Sequence, residues 1–341
     1  MRIKCFDYFR GLSILIIVAG HCFFPWTIDS FSEKMVANLI TGGTSLFVFI
    51  SGFFFHTVFY PKFNYKKFLE KKIKNVLFPY LILSTIAFIV IVLILGRHHY
   101  FSDSYNLSLL YFKYLWAGRI LRGYWYIPFI MIVFSFSPVF IWYISWSTKQ
   151  QLFSFFLLLC LSIFVQRPSQ CLAPVHSFIY FIPIYLLGII YSINQISIGK
   201  FLKNKSIFLG VLTISISALQ IKLTGSYDNY YKSEILTYHG LDLIILQKIV
   251  MIFFFLSVFQ KYEESNIQPL KFFASISFAI YFLHPWVLGF LSSISFERFL
   301  YFLPGAFIFS IKTVFVVFIS TIMAFIIKSV LRNRSRYIIG Y

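Results

Sequence analysis

Apolar runs of about 20 residues recur along the whole chain, separated by short polar stretches, and none of them alternates polar with apolar positions. They fall at residues 8–25, 35–59, 76–95, 124–145, 151–166, 177–194, 206–222, 241–260, 272–293 and 306–330. In lipid only helices and closed barrels satisfy their backbone groups. A barrel strand would be about 10 residues long with alternating polarity. These runs are longer and apolar on all sides. The fold class they predict is all-α: a polytopic membrane helix bundle of about ten transmembrane helices, forming one integral-membrane domain over residues 1–341. No internal repeat or low-complexity tract interrupts it.

Composition agrees. The chain is 59% hydrophobic and 12% charged, whereas a soluble domain carries about 25% charged residues. The net charge of +19 would suggest nucleic acid in a soluble protein. In a membrane protein it reads as the excess of Lys and Arg that collects in cytoplasmic loops, and no nucleic-acid partner is expected. With ten spans and a cytoplasmic N-terminus, that side holds 18 Lys and Arg against 9 opposite, leaving out Arg10, Lys248 and Lys312 inside spans. The bias predicts both termini inside, and a multi-pass protein of the cell (inner) membrane. No signal peptide is expected before the first run. Cys5, Cys22, Cys160 and Cys171 show no metal-type spacing, so separate thiols and no metal are expected.

Two loops expected outside are long. Residues 96–123 carry His98, His99, Asp103, Arg119 and Arg122, and Leu107–Trp116 is apolar enough for a short interfacial helix. Residues 223–240 carry Asp228, Glu234 and His239. Long polar loops on one face of a bundle are where binding tends to be placed. Arg119 and Arg122 suit an anionic sugar or a lipid phosphate equally.

The first run is the most informative. Phe6-Asp7-Tyr8-Phe9-Arg10-Gly11 leads into an apolar stretch ending in Gly20-His21. At about 100° per residue, Arg10 and His21 share one helix face, about 16 Å apart along the axis. Asp7, one turn before Arg10, is within easy ion-pair reach. An ionisable group at membrane depth should face a cavity or a partner. His21 reads equally as a site residue or as a buried histidine bonded to a carbonyl, and Arg10 as a snorkelling anchor or a site residue. In the ninth run, Ser277, Tyr281 and His284 share a face, with Pro285 next. Similar depths for His21 and His284 suggest one shared central cavity, against the alternative that Ser277 and Tyr281 merely bond between helices.

These residues resemble the acyltransferase-3 family of integral-membrane acyltransferases, many of which O-acetylate bacterial surface polysaccharides. The family's opening motif is Arg-Gly with a histidine eleven residues after the Arg, as in Arg10-Gly11 and His21. Phe47-Val48-Phe49-Ile50-Ser51-Gly52-Phe53 resembles its second-span motif, and Phe68 to Tyr80 its basic segment ending in Pro-Tyr. Trp125-Tyr126-Ile127 resembles its Trp-Tyr motif, and Ser275 to His284 its late-span motif ending in Tyr-x-x-His. The family's Arg-x-x-Arg pair is replaced here by Lys71 and Lys74, which keep the charge but not the forked geometry.

The resemblance implies a membrane O-acyltransferase, with acyl-CoA (acetyl-CoA foremost) as donor substrate and no permanently bound cofactor. The acceptor would be a hydroxyl of O-antigen, capsule or another glycan, lipid-linked or at the surface. It implies His21 as general base or acyl carrier, with Arg10 beside it or on the donor. Lys71 and Lys74 would contact the donor, although the six lysines from Lys62 to Lys74 also suit topology and anionic lipid. Trp125, Tyr126, Tyr281, His284 and Ser51 would line the substrate path, with Tyr281 or Ser51 as oxyanion donor. Trp125 and Tyr126 also suit an aromatic belt. A homo-oligomer is compatible with all of this. The alternative reading is a lipid-linked sugar flippase or polysaccharide-export component without transferase activity, although no broken-helix repeat pair supports it.

Overall fold

The computed structural model describes residues 4–24, 26–96, 101, 106–168, 173–228, 231–232, 234–235, 237 and 240–341. His98, His99, Asp103, His239 and Cys171 lie outside the described residues.

The ten apolar runs are all helical. The first is α1 (Lys4–Gly20). The second is two helices, α2 (Phe31–Ile40) and α3 (Thr44–Phe54), the latter prolonged by π and 3₁₀ turns to Lys62. Between them Gly42 has φ +77, a left-handed turn inside what reads as one continuous run. The third begins earlier than its apolar stretch: α4 (Tyr65–Lys72) carries the lysines and continues through a π turn (Ile73–Leu77) into α5 (Phe78–Phe88). After α6 (Leu107–Ala117), the expected interfacial helix, the fourth run bends by 55° between α7 (Tyr126–Ser135) and α8 (Ser137–Ile144), with Pro138 in the first turn of α8. The remaining runs are α9 (Thr148–Val165), α10 (Pro174–Ile193), α12 (Ser206–Thr224), α13 (Leu243–Gln260), α14 (Gln268–Ser293) and α15 (Gly305–Leu331). Short helices α11 (Gln195–Leu202) and α16 (Arg336–Ile339) complete the set.

Among the described residues, eight helices are long and apolar enough to cross a membrane, or nine if the bent pair is one span. At 17 residues α1 falls outside that count, and its length of about 26 Å is close to that of a bilayer core. The protein is an all-α polytopic membrane bundle. Among the described residues the only strands are β1 (Arg167–Pro168) and β2 (Tyr231–Lys232), a parallel pair that ties the α9–α10 connection to the loop after α12.

Two lysines inside spans are accounted for locally. Lys248 donates to the carbonyls of Asn38 (3.2 Å) and Leu39 (2.8 Å), capping α2 where its last C=O groups lack helical partners. Lys312 pairs with Glu297 and donates to Phe24 O at 2.9 Å. Cys5, Cys22 and Cys160 are free thiols.

The foot of α1 is strapped to the α13–α14 connection. Its first N–H groups, on Lys4 and Cys5, donate to the Glu263 carboxylate at 3.0 and 2.8 Å, and Tyr8 Oη donates to Ser265 O at 2.6 Å. From there α1 and α14 run parallel and in contact. A Cβ on Gly11 would collide with the Leu270 backbone, so only glycine permits this approach. Higher up, the chain past α1 meets the start of α15, where Trp26 packs on Gly305. Since α15 then descends to Leu331, both described chain ends lie on one face. We call it the lysine-rich face and the opposite one the arginine face.

Candidate active site

The parallel run of α1 beside α14 is fixed at its lower end by Arg10. Its Nε donates to Ala274 O at 3.0 Å, Nη2 donates to the same oxygen, and Ser277 Oγ adds a third donor at 2.9 Å. Residues 10–20 of α1, with His21 just past its end, then rise beside 274–284 of α14. This brings the rings of His21 and His284 to 5.3 Å, centre to centre. His284 is fully buried, and its Nδ1 lies 3.0 Å from Ile280 O. A carbonyl only accepts, so Nδ1 carries the hydrogen, and in the neutral ring Nε2 carries the lone pair. Among the described residues that Nε2 has no hydrogen-bond partner.

Gly123 stands against both rings. A Cβ there would lie 3.3 Å from His21 Nε2 and 3.5 Å from His284 Nε2, and its φ of +93 is itself one that favours glycine. The residue is held by α14, because Tyr281 Oη donates to Gly123 O at 2.6 Å. Next to it, Tyr124 Oη donates to Phe282 O at 2.8 Å and accepts from Trp286 Nε1 at 3.2 Å. The turn that starts α7 is thus fastened to the helix that supplies His284.

Two cavities of nearly equal size open on opposite sides of this pair. On the arginine face, a cavity of about 400 Å³ is bordered by His21, Trp125, Arg119, Arg122, Arg167 and Asp228, with the Thr41–Thr44 turn as one wall. On the lysine-rich face, a cavity of about 420 Å³ is bordered by Arg10, Ser51, Lys72, Tyr126 and Ser277, set among phenylalanines of α3, α4 and α7. A waist of about 20 Å³ lies between them, bordered by His21, Gly123, Trp125, Tyr126, Phe278 and Tyr281. It shares His21 and Trp125 with one cavity, and Tyr126 and Phe278 with the other. A volume that small holds one water at most.

The residues singled out from sequence therefore separate by position. Arg10 and Ser51 border the lysine-side cavity, Trp125 and His21 the arginine-side cavity and the waist, Tyr126 and Tyr281 the waist, and His284 packs behind His21. Ser51 Oγ and Tyr126 Oη are 3.5 Å apart. Trp125 and Tyr126 are buried, with Trp125 stacked on Phe129 and Phe181, rather than facing outward as a belt would. Lys71 and Lys74 are exposed and sit apart, with Arg336 and Tyr337, in a shallow pocket of about 300 Å³ on the lysine-rich face. Lys72 is the lysine that borders the inner cavity, its Nζ 4.4 Å from the Phe59 ring centre and 4.3 Å from that of Phe134. Its half-buried place is invisible in a run of lysines. Arg167 was also missed, because only the β1–β2 pairing carries it to Trp125 and Tyr231, at 5.3 and 5.6 Å from their ring centres. Among the described residues no cluster of His, Cys, Asp or Glu has metal-site geometry.

A protein of Staphylococcus aureus (strain MRSA252), named probable poly-beta-1,6-N-acetyl-D-glucosamine export protein, is 22% identical over 311 residues, covering 82% of this chain and 81% of its own. No solved structure matches the chain. The model of the acyltransferase domain family known as acyltransferase-3 matches residues 3–330, nearly the whole length, and with it the segment from Arg10 through His21 to His284. The chain belongs to that family of acyltransferases, as a multi-pass membrane member.

Proposed function

We propose that the protein moves an acyl group, acetyl foremost, from acyl-CoA on the cytoplasmic side of the cell membrane to a hydroxyl of a polysaccharide on the other. The observation that carries this reading is the pair of cavities on either side of the waist that His21 borders. Lysine excess makes the lysine-rich face the cytoplasmic one. The mostly apolar cavity there suits the pantetheine arm, and Lys72, with Lys71 and Lys74 outside it, supplies positive charge for the nucleotide phosphates. The arginine-side cavity, with its polar border, suits the sugar.

At the waist the acceptor oxygen bonds to the thioester carbon as the carbon–sulfur bond breaks. His21 takes the hydroxyl proton and returns it to the departing thiolate. Attack by His21 itself, with an acyl-imidazole between, uses the same geometry. Arg10 fixes the register of α1 on α14 through Ala274 and adds positive charge beside the donor arm. Tyr126 Oη, at the waist, is the hydroxyl best placed to steady the developing oxyanion, since that of Tyr281 is committed to Gly123 O. His284 packs behind His21 and backs its ring at the waist.

The relative's name favours a second reading, export of the glycan itself. The waist argues for the transferase, because an acyl group on a thin arm reaches through a constriction where a sugar ring does not fit. Mass spectrometry of surface glycans separates the two. Cells with the protein should carry one extra acyl mass per modified unit, absent when it is deleted or carries His21→Ala. Loss of surface glycan without any acyl difference would favour export.

A further inference from the structure

Three arginines from two separate parts of the chain converge beside His21. Arg119 and Arg122 come from the turn between α6 and α7, and Arg167 from β1. One carboxylate among the described residues, Asp228, borders the same cavity, and it accepts a hydrogen bond from the Tyr231 hydroxyl at 2.8 Å. Arg167 is only 8% exposed, with aromatic rings of Trp125 and Tyr231 beside its guanidinium. Three guanidinium groups around one partly enclosed volume offer converging donors to an entering anion. A guanidinium fork matches a carboxylate or phosphate oxygen pair better than it matches sugar hydroxyls. Lipid headgroups account for the exposed Arg122, but a headgroup in the bilayer plane does not reach Arg167 without entering the cavity. The cavity's size, about 400 Å³, falls within the small-ligand range of about 300–1,000 Å³.

We propose that the arginine-side cavity selects an acceptor glycan bearing an oxyanion, a uronate carboxylate or a phosphate, on or next to the sugar whose hydroxyl meets His21. The inference rests on the acyl-transfer reading for which hydroxyl is presented, but not for the binding itself. The anion is held by Arg122 at the rim and Arg167 at depth. The Thr41–Thr44 turn walls the sugar, with Trp125 at the cavity's edge.

The test is protection of His21 from carbethoxylation by diethyl pyrocarbonate, read by mass spectrometry of the His21 peptide, with the full chain in nanodiscs of neutral phosphatidylcholine. Glucuronic acid and glucose 6-phosphate are expected to slow labelling about tenfold at concentrations where glucose does nothing, as charge-assisted hydrogen bonds allow. Arg167→Gln should remove most of that protection, measured against the variant's own labelling rate without sugar. Arg122→Gln, at an exposed position where folding is not at stake, should weaken it severalfold. Equal protection by glucose would overturn the proposal, as would no protection by either anion. So would glycerol 3-phosphate protecting as well as glucose 6-phosphate, which would make this a headgroup site, or protection unchanged in both variants. No acyl transfer is read, so failure of the glycan mass experiment and failure of this one are separate results.

Discussion

The two cavities differ by only about 20 Å³ in volume, yet their chemistry is opposite. One is bordered by three arginines, a carboxylate, two threonines and a histidine, and the other mainly by phenylalanines, with Arg10, Lys72, three serines and two tyrosines among them. A passage that moved one substrate from end to end would have similar walls at both ends. Unlike walls on either side of a closed waist are what a reaction between unlike partners requires: a flexible apolar arm from one face and a polar sugar from the other. The membrane makes the difference sharper, because polar groups kept at that depth stay only where they have partners or border a cavity.

The comparison can be broken at the waist first. His21→Ala is expected to lower kcat by about 10²–10⁴-fold, the usual contribution of a general base, with protein abundance in the membrane unchanged. Steady-state transfer of radiolabelled acetyl from acetyl-CoA measures it. Gly123→Ala should come next. The added methyl meets both imidazoles, and φ +93 strains any Cβ, so a loss of about tenfold or more in kcat is expected with donor KM little changed. If transfer survives that substitution unaltered, the two histidines do not act where they are placed.

The unlike walls give the next test. Lys72→Met should raise the donor KM about fivefold to tenfold, leaving acceptor KM unchanged, because it removes one charge-assisted contact from a partly buried site. Lys71→Gln and Lys74→Gln, at exposed positions, are expected to raise donor KM only about twofold each, with an effect that fades in high salt. Should the exposed pair outweigh Lys72, the donor would dock along the shallow pocket beside Arg336 instead of reaching into the cavity. Acetyl-CoA titrations at two ionic strengths distinguish these outcomes.

The bundle was legible because each span is a long apolar run, and run length alone implies helices in lipid. What stayed hidden were departures inside runs. Ile40-Thr41-Gly42-Gly43-Thr44 reads as a small-residue stretch of one helix, and only the left-handed Gly42 with Lys248 capping α2 shows the break. That break matters, since its turn walls the arginine-side cavity. The bend before Pro138 had a visible signal, as proline cannot continue the preceding turn's bonding. At the site, Arg10 and His21 were found by helical periodicity, and His284 with Tyr281 likewise, since each pair lies on one face of one helix. Lys72, Arg167 and Gly123 were not, because their roles come from contacts between distant segments. Lys72 differs from its neighbours by meeting Phe68 and Phe134, and Gly123 by facing the rings of His21 and His284.

The direct test of transfer through the bundle uses membrane vesicles of defined orientation from cells that make the protein and its glycan. Radiolabelled acetyl-CoA is added outside inside-out vesicles, so that it meets only the lysine-rich face. Label should accumulate in glycan inside the vesicles with the wild-type chain, and fail to do so with His21→Ala or in right-side-out vesicles. Equal labelling with His21→Ala, or labelling that requires donor on the arginine face, would contradict transfer at His21 between the two cavities.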